Sequence, residues 1–135
     1  DVLRLARRAG AGFPLIQHDA LAVPLHDASV DFVTCSLALH HFDPPAAVAL
    51  LRELCRVARR GLIVNDLRRD RLAYWGAQLL ALGPWHAMAR HDGPLSVLRA
   101  YTLDEARALV EQAGVANASV ETRPLFRMLI VVQKR

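Results

Sequence analysis

The sequence predicts one α/β domain on a mostly parallel sheet with an antiparallel C-terminal strand. Three observations predict it. Val30–Leu37 (Val-Asp-Phe-Val-Thr-Cys-Ser-Leu) is nearly continuous in β-formers, the pattern of a strand buried on both faces of a parallel sheet. An amphipathic helical stretch follows, and after it the apolar run Leu62-Ile63-Val64, so strand and helix alternate. Polar residues collect where strands end: Asp19, then Ser36 with His40-His41, then Asn65-Asp66. That is the edge at which open α/β sheets bind ligands. At 135 residues the chain, 1–135, has room for one domain.

The elements follow in order. Val2-Leu3, Leu5-Ala6 and Ala9 form a helical stripe with Arg4, Arg7 and Arg8 opposite, stopped by Gly10 and Gly12. Phe13–His18 is short and rich in large apolar residues and reads as a strand near 14–18. Val23–Ala28 is a polar-punctuated loop. Asp43-Pro44-Pro45 opens a helix: Asp43 caps it, and proline suits a first turn, where no donor is lost. Leu50, Leu51, Leu54, Val57 and Ala58 form its apolar face. Arg59-Arg60 occupies its last turn, where positive charge suits the dipole, and Gly61 ends it. Leu72–Leu82 predicts a helix, Gly83-Pro84 breaks it, Trp85–Arg90 forms a turn and His91-Asp92-Gly93-Pro94 a loop. Thr102 and Glu105 make a capping box for a helix that ends before Gly114. Ser119–Arg123 and Phe126–Gln133 are strands joined across Pro124, a link short enough to make them antiparallel. The expected neighbours are 31–36, 61–65, 126–133 and 118–123, in that order.

Composition excludes several classes. Hydrophobic residues are 53% and charged residues 22%, so the chain is not of the disordered type. The net charge of +4 comes from 16 Arg and one Lys, scattered without an aromatic-interleaved stripe, which argues against a nucleic-acid surface. No apolar run reaches the roughly 18 residues of a membrane span, and no signal peptide is legible, so the expected setting is cytoplasmic. Cys35 and Cys55 read as buried small hydrophobes, and neither they nor the six histidines show zinc-ligand spacing.

The motifs carry a family resemblance. His18–Val33 resembles the "D-A-x-x-L-P-F-x-D-x-S-F-D" block of class I S-adenosylmethionine-dependent methyltransferases, in the methyltransferase type 11 group that includes ubiquinone/menaquinone-biosynthesis enzymes. Leu39–Pro44 is similar to their "L-H-H-x-x-D-P" segment, Arg52–Val57 to "R-E-x-x-R-V", and Tyr101–Gly114 to their late "F-T-x-x-E-L" helix. The resemblance implies a Rossmann-like class I methyltransferase fold that is incomplete. The glycine-rich loop, the first two strands and the acidic residue that holds the ribose have no counterpart here, and Gly10-Ala11-Gly12 lies in the wrong context to replace them. The chain therefore reads as the C-terminal portion of a longer enzyme, inactive alone and of low stability, with exposed sheet edges.

The resemblance also implies S-adenosyl-L-methionine as cofactor. Asp19 would accept from the adenine amino group, Ala20 would flank the ring, and Ser36, Leu37 and Leu39 would line the methionine part. The ordinary alternatives are that Asp19 caps its own loop and that Leu37 and Leu39 pack the core. Methyl transfer from a sulfonium needs positioning and, for a hydroxyl acceptor, a base, which a histidine can supply. His40 and His41 are candidates, with His91 behind them; adjacent side chains diverge, so one of the pair instead packs against the following helix. Asn65 and Asp66 would face the acceptor or start a turn. Tyr74 and Trp75, in the segment that covers the acceptor in related enzymes, would line its site or fill a helix core. The expected partner is a small molecule, for example a phenolic or polyketide-like hydroxyl compound, with no nucleic acid and no membrane; oligomeric state is open. Two further readings remain: a non-catalytic binding or regulatory module with a degenerate methyltransferase fold, and, less well matched, a nicotinamide dehydrogenase.

Overall fold

The computed structural model describes residues 4, 7, 8, 10, 12–83 and 87–134. Its centre is a four-stranded sheet of β1 (Val30–Ser36), β2 (Ala58–Leu67), β3 (Ala118–Arg123) and β4 (Arg127–Gln133), in the order β1-β2-β4-β3. β1 and β2 are parallel, and β4 runs antiparallel to both β2 and β3. Order and directions are those the sequence predicts. Between the strands lie a 3-10 turn (Leu39–His41) and four helices: α1 (Pro44–Val57), α2 (Arg71–Ala81), α3 (Ala87–Arg99) and α4 (Leu103–Gln112).

Alternation along the strands sorts the two faces of the sheet. Leu62, Val64, Met128, Ile130 and Val132 point to one face and pack against Leu50 and Leu51 of α1 and Ala106, Leu109 and Val110 of α4. This is the core, and it holds the carboxyl ends of β1 and β2 together. On the other face Phe32, Thr34 and Ile63 are exposed.

The caps behave as their chemistry dictates. The Asp43 carboxylate accepts from the Ala46 N–H, Asp70 accepts from Leu72 and Ala73, and both halves of the Thr102–Glu105 capping box are present. Gly114 takes a φ of +68° directly after α4.

Four expectations are corrected. Residues 12–18 form no strand: Phe13 and Ile16 are exposed, and no neighbouring strand offers them a ladder. Of the predicted first helix, Arg4, Arg7 and Arg8 are helical, and its remaining residues at 2, 3, 5, 6 and 9 lie outside those described. Second, α1 stops at Val57, and Arg59-Arg60 belongs to β2. Cross-strand partners prevail over the helix dipole: Arg59 Nε donates to Asp31 at 2.9 Å, and the Arg60 guanidinium lies 5.5 Å from the Phe32 ring centre. Gly61 is therefore a strand residue, needed because a Cβ there would stand 2.8 Å from the Val132 carbonyl oxygen. Third, β2 does not end near residue 65 but runs on through Asp66 to Leu67. Fourth, His91–Pro94 is part of α3. The helix absorbs Pro94 because its ring is buried, and packing against α2 outweighs one lost backbone bond. The expected break at Pro84 and the start of the turn at Trp85 lie outside the described residues.

No helix among the described residues is long and apolar enough to cross a membrane.

Candidate functional site

The site is assembled where β1 and β2 end. β1 turns out of the sheet at Leu37, whose φ of +54° is left-handed and whose N–H is held by the Asn65 carbonyl at 2.9 Å. That sharp exit drops Leu39 into the core with no exposure and sets His40 directly over β2. There Asp66, also without exposure, receives it: the His40 backbone N–H donates to Oδ2 at 3.1 Å, and the ring Nδ1 lies 2.6 Å from Oδ1. Leu67 N–H donates to the same Oδ1 at 2.6 Å. A carboxylate only accepts, so Nδ1 carries a hydrogen, and no described residue bonds Nε2. His41 follows, exposed, with its ring centre 4.1 Å from that of His40.

A cleft of about 520 Å³ opens beside this pair. His40, His41 and Phe42 form one wall, and Leu98, Tyr101 and Leu109 stand among the residues of the others. Tyr101 is fixed by donating its hydroxyl to the Phe42 carbonyl at 2.7 Å, and burial, then Asp43 and Glu105, push that phenol above its ordinary range. Arg69 enters the cleft paired with Glu105. Burial works to raise the Glu105 carboxyl, but the Thr102 N–H and Arg69 together hold it below its ordinary value. Leu98 and Arg69 also border a second, more apolar hollow of about 460 Å³ between α2 and α3, where Tyr74 and Trp75 stand with Val97 and Thr102.

On the other side of the turn a third hollow, about 320 Å³, is lined by His18, Ala20, Thr34, Cys35, Ser36 and Ala38 with four apolar residues around them. Asp19 stands in the chain between the lining residues His18 and Ala20 but is not itself part of the lining. Its Oδ1 accepts the Leu21 N–H at 2.9 Å, and its Oδ2 takes no bond from the described residues. The loop behind it is anchored to α1: Glu53 accepts the Val23 N–H at 2.7 Å, while Arg56 donates to the carbonyls of Val23 and Leu25 and to Asp27. Bonds from Arg56 and then Val23 hold the Glu53 carboxyl down to about 2. Burial, and then Asp66, push the Cys35 thiol up, so it stays a neutral wall residue.

The structure thus brings His40 and His41 to one cleft, with Asp66 buried behind His40 and outside the lining, Tyr74 and Trp75 to its neighbour, and Ala20 and Ser36 to a separate hollow whose lining does not include Asp19. Leu37 is exposed at the turn between them. Asn65 is half-buried, its carbonyl committed to Leu37. His91 is exposed on α3 and borders none of these spaces. Sequence reasoning missed Arg69, Tyr101 and the Glu53–Arg56 anchor. Glu105 was legible only as a cap, and no local pattern marks a pairing across more than thirty residues. Among the described residues no group of three His, Cys, Asp or Glu is placed to hold a metal ion.

Comparison with known proteins agrees with this architecture. Residues 1–64 match the family model of the methyltransferase domain. No curated protein matches the chain. Among solved structures, a SAM-dependent methyltransferase from Aquifex aeolicus aligns with a TM-score of 0.64 at 18% identity, over 96% of this chain and 60% of that one. PigF with SAH aligns with a TM-score of 0.64 at 18% identity, over 96% and 38%. An O-methyltransferase family 2 protein from Planctomyces limnophilus, in complex with apigenin, aligns with a TM-score of 0.57 at 22% identity, over 87% and 33%. The fold is that of the Rossmann-like methyltransferases, in partial form, and the chain spans 60% or less of each of these three relatives.

Proposed function

With a methyltransferase-domain match over residues 1–64 and a methyltransferase fold around it, we propose that this chain supplies the acceptor side of an S-adenosyl-L-methionine-dependent methyltransferase, together with the adenine end of the cofactor side. The acceptor is a small molecule bearing a hydroxyl, of phenolic or polyketide-like type. The observation that carries this reading is the hydrogen-bonded His40–Asp66 pair, of which His40 lines the cleft and Asp66 is buried behind it.

The residues fit part of the cofactor. The Asp19 Oδ2, which takes no bond from the described residues, would accept from an exocyclic amine, and the hollow beside Ala20 and Ser36 suits a flat heterocycle. Leu37 would border the methionine part, with Leu39 packed beneath it. When bound, the sulfonium supplies an electrophilic methyl group, so the protein's share is placement and the removal of one proton. His40 takes that proton at Nε2. Asp66, bonded to Nδ1, is a positioning residue: it holds the tautomer and stabilises the imidazolium that forms. His41 lies on the same wall, where it contacts the acceptor, and the second hollow lets a larger acceptor extend past Arg69 and Leu98 towards Tyr74 and Trp75.

The test is transfer of a labelled methyl group from S-adenosylmethionine to a panel of phenols by the gene product containing this chain. His40→Gln should lower kcat by about 100-fold or more while S-adenosylhomocysteine binding is kept. Asp66→Asn should lower kcat with KM little changed. Full kcat in the His40→Gln variant would remove the base assignment.

A further inference from the structure

Helix α2 shows an apolar face that meets the second hollow only at Trp75 and is otherwise apart from the proposed site. Leu72, Trp75, Leu79 and Leu82 follow one another at spacings of three, four and three residues and are each between 66% and 76% exposed. Such spacing places them in one stripe along the helix, the seam of a helix–helix contact. Leu80 widens the stripe, and Leu98 of α3, half exposed, continues it across the hollow that it shares with Trp75. Gly76 borders the stripe, and a Cβ there would meet nothing within 4 Å, so another backbone has room to approach.

We propose that this face binds a second copy of the chain through a two-fold, antiparallel contact of α2 on α2. The stripe is symmetric about residue 77. Reversing one helix sets Leu72 against Leu82 and Trp75 against Leu79, and the same pairs recur on the other side of the axis, as an isologous interface requires. The six exposed apolar side chains present on the order of 700 Å² per copy, close to the roughly 800 Å² per partner of a standard interface.

Charge also points to self-association. No charged residue lies between Leu72 and Leu82, so like charges do not meet across the axis and nothing recruits a partner of opposite sign. The opposite side of α2, with Ala73 buried, packs on α3 and offers no basic face of the kind that seats a helix on a lipid surface.

Sedimentation velocity of the whole chain across micromolar concentrations tests the proposal. A dimer is expected. Leu79→Glu should weaken it about tenfold or more, with the circular dichroism spectrum unchanged because the side chain is exposed. Phe32→Glu, on the open face of the sheet, should leave it intact. Under mild oxidation Gly76→Cys should give a disulfide-linked dimer that the Leu79→Glu change suppresses. A monomer at every concentration, including one that binds phospholipid vesicles, overturns the proposal. So does a dimer that survives Leu79→Glu or is dispersed by Phe32→Glu.

Discussion

Replacing Asp66 by alanine should be among the most costly single changes in this fold. Its carboxylate is fully buried and takes three bonds: His40 N–H at 3.1 Å, His40 Nδ1 at 2.6 Å and Leu67 N–H at 2.6 Å. Alanine leaves three donors unmet, the two of His40 buried and that of Leu67 partly so. Each costs about 1–3 kcal/mol when stranded, and because they share one acceptor group the sum falls short of additive, at about 3–5 kcal/mol. A domain of ordinary stability has only about 5–15 kcal/mol to lose. Asparagine keeps one acceptor oxygen and should cost about 1–2 kcal/mol. It can also present its NH2 group to Nδ1, which moves the ring hydrogen to Nε2. Urea unfolding followed by circular dichroism measures both costs, and nitrogen chemical shifts of the imidazole report the tautomer. If Asp66→Ala and Asp66→Asn both fell within about 0.5 kcal/mol of the parent, the range of ordinary surface changes, the dyad would not be the tie between the 3-10 turn and β2 inferred from its geometry.

Other consequences follow from particular contacts. Gly61→Ala forces a Cβ to within 2.8 Å of the Val132 carbonyl oxygen, and should destabilise by about 1–3 kcal/mol, read as a lower melting temperature with unchanged m-value. The Glu53 carboxyl, held down to about 2 from an ordinary 4.5 by Arg56 and the Val23 N–H, contributes stability that is fully present above about 4.5 and is lost as the pH falls towards 2. The difference in unfolding free energy between the parent and Glu53→Gln should therefore shrink through that window and be flat above it. Leu125, 86% exposed with a φ of +60°, should gain about 0.5–1 kcal/mol on replacement by asparagine, which tolerates the left-handed region; an unchanged melting temperature would contradict this. Asp19→Ala in the gene product containing this chain should weaken S-adenosylhomocysteine by about 1–3 kcal/mol, the cost of one polar partner left unmet, measured by calorimetry.

Much of the fold was legible because its signals are local. The β-former run at Val30–Leu37, the Asp43 cap with its prolines, the Thr102–Glu105 box and the short link at Pro124 each act over a few residues, and they predict strand order as well as strand identity. Candidate site residues were legible only as candidates: polar groups at strand ends stand out against an apolar run. What the chain alone could not reveal depends on partners distant in sequence. Arg59 and Arg60 suit a helix end until Asp31 and Phe32 are beside them. Phe13–His18 has the composition of a strand, but a strand needs a neighbour to bond with. Gly61 reads as a helix stop until the Val132 carbonyl stands where its side chain would be. His40 and Asp66 were each visible as separate candidates, 26 positions apart. Only the left-handed turn at Leu37, folding the chain back over β2, made them a pair, because a hydrogen bond depends on distance and direction, which one-dimensional spacing does not carry.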